Sequence, residues 1–152
     1  MTDQERSVLL LEALPALNVR LPLQTAQRFH NDWRQAVARL SLRQWHLLVA
    51  LSSAARGYER FAKGLENYLE KAAAKDKDKQ GWGDQGFKGA FLQALSAAAT
   101  TESGAAADLF RHSAALLPEK LRNEVQDRIR LQRARVFATA LLQMVRTQEA
   151  RR

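Results

Sequence analysis

Apolar residues recur along this chain at intervals of three, four and seven, the spacing that gathers side chains onto one face of an α-helix. The clearest stripe is Ala26, Phe29, Trp33, Ala36, Val37 and Leu40, with Arg28, Asp32, Gln35 and Arg39 on the opposite side. It predicts a helix from Pro22 to Leu40. Ahead of it, Val8, Leu11 and either Ala13 or Leu14 predict a shorter helix over residues 3–14, capped by Thr2 or Asp3 and stopped by Pro15. After it, Ser41 and Gln44 have capping-box spacing: the serine oxygen accepts the backbone N–H at position 44, and the glutamine reaches back. The stripe Leu48, Leu51, Ala55, Tyr58, Ala62, Leu65, Leu69 and Ala72 carries that predicted helix to Ala74. Gly57 and Gly64 lie inside it; each costs about 1 kcal/mol relative to alanine, so they mark a close helix crossing or a kink.

Residues 75–86 break the period. Alternating charge and three glycines predict a flexible loop. Trp82 sits between two of those glycines and has two readings. Either it folds back onto the helices, or it serves as a base-stacking or partner-docking side chain beside Lys77, Lys79 and Lys88. The helical period then resumes over Phe87–Ala99. A turn at residues 100–104 follows, then a helix over Ala105–Leu117, capped by Ser103 and burying Leu109, Phe110 and Leu116.

Pro118 and Glu119 open a last helix, since proline fits a first turn and a carboxylate suits the positive end of the dipole. No glycine or proline interrupts it through Arg152. Leu121, Val125, Ile129, Val136 and Ala140 form one stripe, and Leu131, Ala134, Ala138, Leu142 and Val145 another. With Phe137, Leu141 and Met144 the second half is apolar nearly all round, so it is expected to be buried between neighbours or against another subunit. The whole reads as a single all-α domain over residues 1–152, a bundle of about five or six helices with a long C-terminal helix.

Composition sharpens this. The 152 residues suffice for one domain with a core, and 46% hydrophobic with 26% charged residues suits a folded chain. There is no cysteine, which excludes disulfides, thiolate metal sites and cysteine nucleophiles, and fits a cytoplasmic location. The mixed-charge start of the chain does not read as a signal peptide, and no uncharged run reaches membrane-spanning length.

Net charge is +8, and it is uneven. Residues 20–63 hold eight arginines and lysines against two acids, and residues 118–152 hold nine against four. The segments between and before them are slightly acidic. Positive charge clustered on helices is the footprint of a polyanion binder.

Recognised catalytic chemistry is missing from the pattern. His30, His46 and His112 form no helical metal pair and read as polar or half-buried residues; there is no P-loop, dinucleotide fingerprint or nucleophile elbow. Glu66 and Glu70 share a face without the histidines a carboxylate metal site uses. The expectation is a chain that is not an enzyme and takes no metal or cofactor.

The arginines remain. On the last helix Arg122, Arg130 and Arg133 fall on one side, and Arg128, Arg135 and Arg146 on another. The bland reading is a solvated face, with arginines paired to Glu124 or Asp127 and with i,i+4 pairs such as Glu59–Lys63. The sharper one is a phosphate-contacting surface of Arg28, Arg39, Arg56, Arg60, Lys63, Arg122, Arg130 and Arg133. Its partner would be single-stranded RNA or DNA. The expected function is then a non-catalytic, sequence-independent nucleic-acid-binding subunit of a multi-protein ribonucleoprotein complex. The alternative is a helical interaction or adaptor module, such as a phage or plasmid accessory protein, whose basic charge serves an acidic protein partner.

A short, basic, wholly helical chain with arginines along its helices resembles the small subunits of CRISPR effector complexes, in which helical bundles stack along a crRNA-bearing filament. The resemblance covers architecture and charge over most of the chain. It implies an antiviral crRNA-guided complex as the partner, a guide–target duplex as a further nucleic-acid partner, Arg56, Arg60, Arg130 and Arg133 as backbone contacts, and the apolar C-terminal half as a subunit interface.

Overall fold

The computed structural model describes residues 2–9, 20–100, 108, 111, 112 and 114–151. They form an all-α bundle: α1 (residues 3–9), α2 (Arg20–Asp32), α3 (Arg34–Arg39), α4 (Leu42–Ala54), α5 (Tyr58–Lys75), α6 (Gln85–Thr100) and α7 (Glu119–Ala150). There is no strand among the described residues. Residues 10–14 of the first predicted helix, Ser103, Leu109, Phe110 and Arg152 lie outside them. Leu116 was expected in the core but is 64% exposed, and its neighbour Leu117 is buried instead.

The long helix α7 is the spine. At 32 residues it runs about 48 Å, and α2, α3, α4, α5 and α6 all pack against it. From position 131 onward Leu131, Ala134, Phe137, Ala138, Ala140, Leu141, Leu142 and Val145 are buried, as the all-round apolar pattern requires. Nearer its start Val125 and Ile129 are buried in a smaller cluster with Ala114, Leu117 and the partly buried Val8 and Leu121.

The capping box forms as read: Ser41 Oγ accepts the Gln44 N–H, and the Ser41 N–H donates to Gln44 Oε1 at 2.9 Å. The continuous helices predicted on either side of it do not. The first breaks at Trp33, whose φ of −123° and ψ of 30° leave the helical region. The second stops at Ala54 and restarts at Tyr58, with Gly57 as the break the sequence hinted at.

The turn between α5 and α6 is built around Asp76. Its carboxylate accepts the backbone N–H groups of Gly81 at 2.7 Å, Gly83 at 2.9 Å and Gln80 at 3.4 Å. These bonds hold the carboxyl below its ordinary pKa, those from Gly81 and Gly83 most strongly. Gly83 is required there, because a Cβ would lie 2.7 Å from the Asp76 carbonyl oxygen. Asp84 then caps α6, accepting the N–H of Gly86 at 2.9 Å and of Phe87 at 3.3 Å. A segment whose composition reads as a flexible loop thus carries its own hydrogen-bond scaffold.

That scaffold delivers Trp82 to the core. The indole is 1% exposed, stacked on Phe87 at 4.9 Å and edge-on to Phe91 at 5.0 Å and Trp45 at 5.9 Å. Trp82 is therefore a packing residue, and the base-stacking role is withdrawn. No helix among the described residues is long and apolar enough to cross a membrane.

Candidate nucleic-acid interface

The charged residues of α7 divide by what they touch. Several close the ends of other helices. Arg122 donates from Nε to the Ala114 carbonyl and from Nη2 to the Leu117 carbonyl, both at 3.1 Å. Arg135 donates to the carbonyls of Ser52 at 2.7 Å, Ala55 at 3.2 Å and Ser53 at 3.3 Å, at the C-terminus of α4. Asp127 faces the start of α5, where its carboxylate accepts the N–H of Tyr58 at 3.0 Å and of Glu59 at 3.3 Å. A cation thus meets the negative end of one helix and an anion the positive end of the next, as the helix dipoles favour. Both charges come from α7, two turns apart.

Gly57 makes that arrangement possible. It has no side chain with which to cap α5, and a Cβ on it would overlap Asp127 Oδ2. Its own backbone is extended, at φ −158° and ψ 158°, so the glycine is required for space.

This reshapes the expected arginine surface. Arg133 is 2% exposed inside the bundle, and its guanidinium is not available to a phosphate. Its position four residues after Ile129 and four before Phe137, both buried, was the sequence signal for this. Arg122 is half-buried and committed to carbonyls, so it too leaves the candidate set.

Arg56, Arg60 and Arg130 are brought together. They line one cleft of about 700 Å³ between the start of α5 and the middle of α7. Arg56 and Arg60 are exposed and Arg130 is half-buried. Lys63 is exposed one turn further along α5. The cleft also contains Glu59, Glu124 and Asp127, but Asp127 is occupied by the α5 amides. Arg130 reaches the vicinity of Tyr58. Burial pushes that phenol above its ordinary pKa, and a Ser96 hydrogen bond and the Arg130 charge oppose the shift only in part.

Arg28 and Arg39 are exposed but lie outside this cleft. Arg39 shares a separate depression with Lys75, Asp76 and Asp78. The candidate cations do not make the ion pairs of the bland reading among the described residues. Among the described residues no carboxylate lies within 4.0 Å of the charged nitrogens of Arg28, Arg39, Arg56, Arg60, Lys63 or Arg130, and Glu59–Lys63 is not a pair. Arg111 and Asp108 do pair. Two of the histidines contact α7: His30 Nε2 is 3.0 Å from Gln148 Oε1, and His46 Nε2 is 3.0 Å from Arg146 Nη2. No group of three or more acidic, histidine or cysteine residues among those described is placed to hold a metal.

Comparison with known protein families, curated proteins and solved structures finds no match for this chain.

Proposed function

We propose that this chain is a non-catalytic, sequence-independent nucleic-acid-binding subunit of a larger protein assembly, and that it contacts phosphates through Arg56, Arg60, Lys63 and Arg130. The observation that carries the proposal is that these cations stand at or beside one cleft with no ion pair among the described residues. Guanidinium groups on helices, without an ion pair among the described residues and in a chain of net charge +8, are suited to backbone contact without base readout. Arg28 and Arg39 extend the positive surface and have a steering role. A crRNA-guided complex of the kind the sequence resemblance implies is the assembly we put forward.

Anisotropy of labelled single-stranded RNA and DNA tests this. Arg60→Glu is expected to weaken binding about tenfold or more, because it removes one charge-assisted contact and adds a repulsion. Unchanged binding by that variant would remove the α5–α7 cleft from the interface.

A second reading has its own observation. Between α2 and α7 lies an open trench with a largely apolar lining and no acidic residue among those described, which suits an interaction module with an acidic protein partner.

A further inference from the structure

The trench between α2 and the C-terminal half of α7 has a volume of about 860 Å³. Val136, Ala140 and Met144 step by four along α7 and supply apolar lining. Leu23 of α2 supplies more, and it is 43% exposed. The α7 residues lining the trench run from Arg135 to Arg151, about 24 Å of helix and so about four turns. Thr139, Gln143 and Thr147 are exposed along it and uncharged. Arg34 and Arg151 also line it, and no aspartate or glutamate does among the described residues. Arg135 is already committed to the α4 carbonyls.

We infer that this trench docks an amphipathic helix of a partner protein, with the partner's apolar face on Leu23, Val136, Ala140 and Met144 and its acidic flank beside Arg34 and Arg151. Length and openness suit a helix laid into a groove. An extended peptide gains its affinity by pairing with a sheet edge, and this surface is helical. The acidic flank follows from charge complementarity: among the described residues Arg34, Arg135 and Arg151 and no carboxylate line the trench, on a chain of net charge +8 that repels a basic partner and draws in an acidic one. A nucleic acid gains little from an apolar floor. The inference is independent of the phosphate-contact proposal, since it uses none of Arg56, Arg60, Lys63 or Arg130.

The test uses the full chain and two labelled helical peptides of about 16 residues, a length set by the four turns available. Both carry leucines at helical spacing; one is flanked by glutamates and the other by lysines. The glutamate peptide is expected to bind, with methyl shifts at Leu23 and Met144, and the lysine peptide to bind at least about tenfold more weakly. Thr139→Glu, at an exposed position that the fold tolerates, is expected to weaken the glutamate peptide about tenfold or more while leaving nucleic-acid binding unchanged. Arg60→Glu is expected to do the reverse, so the two proposals fail separately. No binding of the glutamate peptide, equal binding of the lysine peptide, or methyl shifts away from the trench each overturns the inference. Sedimentation showing a dimer whose contact covers Leu23 and Met144 also overturns it, in favour of a second copy as the occupant.

Discussion

The contact between Gly57 and Asp127 makes a prediction with a change of sign. Asp127→Ala strips the start of α5 of a cap that no local residue replaces, since Gly57 has no side chain. Losing a capping side chain costs about 1 kcal/mol, and losing its charge at the positive helix end adds about 0.3–1 kcal/mol, so about 1–2 kcal/mol in all. In a chain of this size that is a fall in Tm of about 2–8 °C. Gly57→Ala is expected to cost a similar amount in the wild type, because the new Cβ displaces the Asp127 carboxylate from both amides. In the Asp127→Ala background the obstacle is gone, and an extended backbone accepts alanine. There the same substitution is expected to be neutral or to stabilise by about 0.4–1 kcal/mol, through the lower entropy of the unfolded chain. A double-mutant cycle by urea unfolding measures the coupling, and amide hydrogen exchange at Tyr58 and Glu59 reports the cap directly. Equal destabilisation by Gly57→Ala in both backgrounds would refute the reasoning.

Other expectations follow from the same contacts. Trp82→Ala empties a site packed by Trp45, Phe87 and Phe91, and should cost about 3–5 kcal/mol in denaturant unfolding, a loss that an exposed stacking residue would not show. Asp76 has a depressed pKa in the fold, so its contribution is complete above the ordinary carboxylate range, near pH 4, and fades as pH falls through the lower folded value. Asp76→Asn should lower stability at neutral pH and flatten the acid limb of a stability–pH profile; an unchanged acid limb would exclude that role. Arg135→Ala leaves three α4 carbonyls without their donor and should cost about 1–3 kcal/mol in thermal or urea unfolding.

Much of the fold was legible because it is written in local periods. The stripe through Phe29 and Val37, the Ser41–Gln44 box and the two-sided apolar pattern of the last helix each depend on residues within a turn or two of one another. What escaped depends on distance along the chain. The helix stop after Ala54 is completed by Arg135 and the restart at Tyr58 by Asp127, 80 and 69 residues away. No local pattern announces such partners. The bend at Trp33 leaves both the apolar stripe and the Val37 N–H to Trp33 carbonyl bond intact, so the sequence bears no mark of it. Trp82 was drawn into the core by the fold of its loop around Asp76, against the polarity of its neighbours. For the candidate site, sequence identified cations by their charge but could not sort them by use. Arg56, Arg60 and Lys63 remain at the surface; Arg122 and Arg135 hold helix ends; Arg133 is inside.

The central proposal is that a small set of surface cations, without ion pairs among the described residues, tracks a phosphate backbone, and the salt dependence of binding tests it most directly. Contacts from Arg56, Arg60, Lys63 and Arg130 predict a log–log slope of about −3 on single strands, at about 0.7 per phosphate contact, falling to about −2 in Arg60→Gln. Weak binding at low salt with a slope near zero, or a slope that Arg60→Gln leaves unchanged, would contradict it.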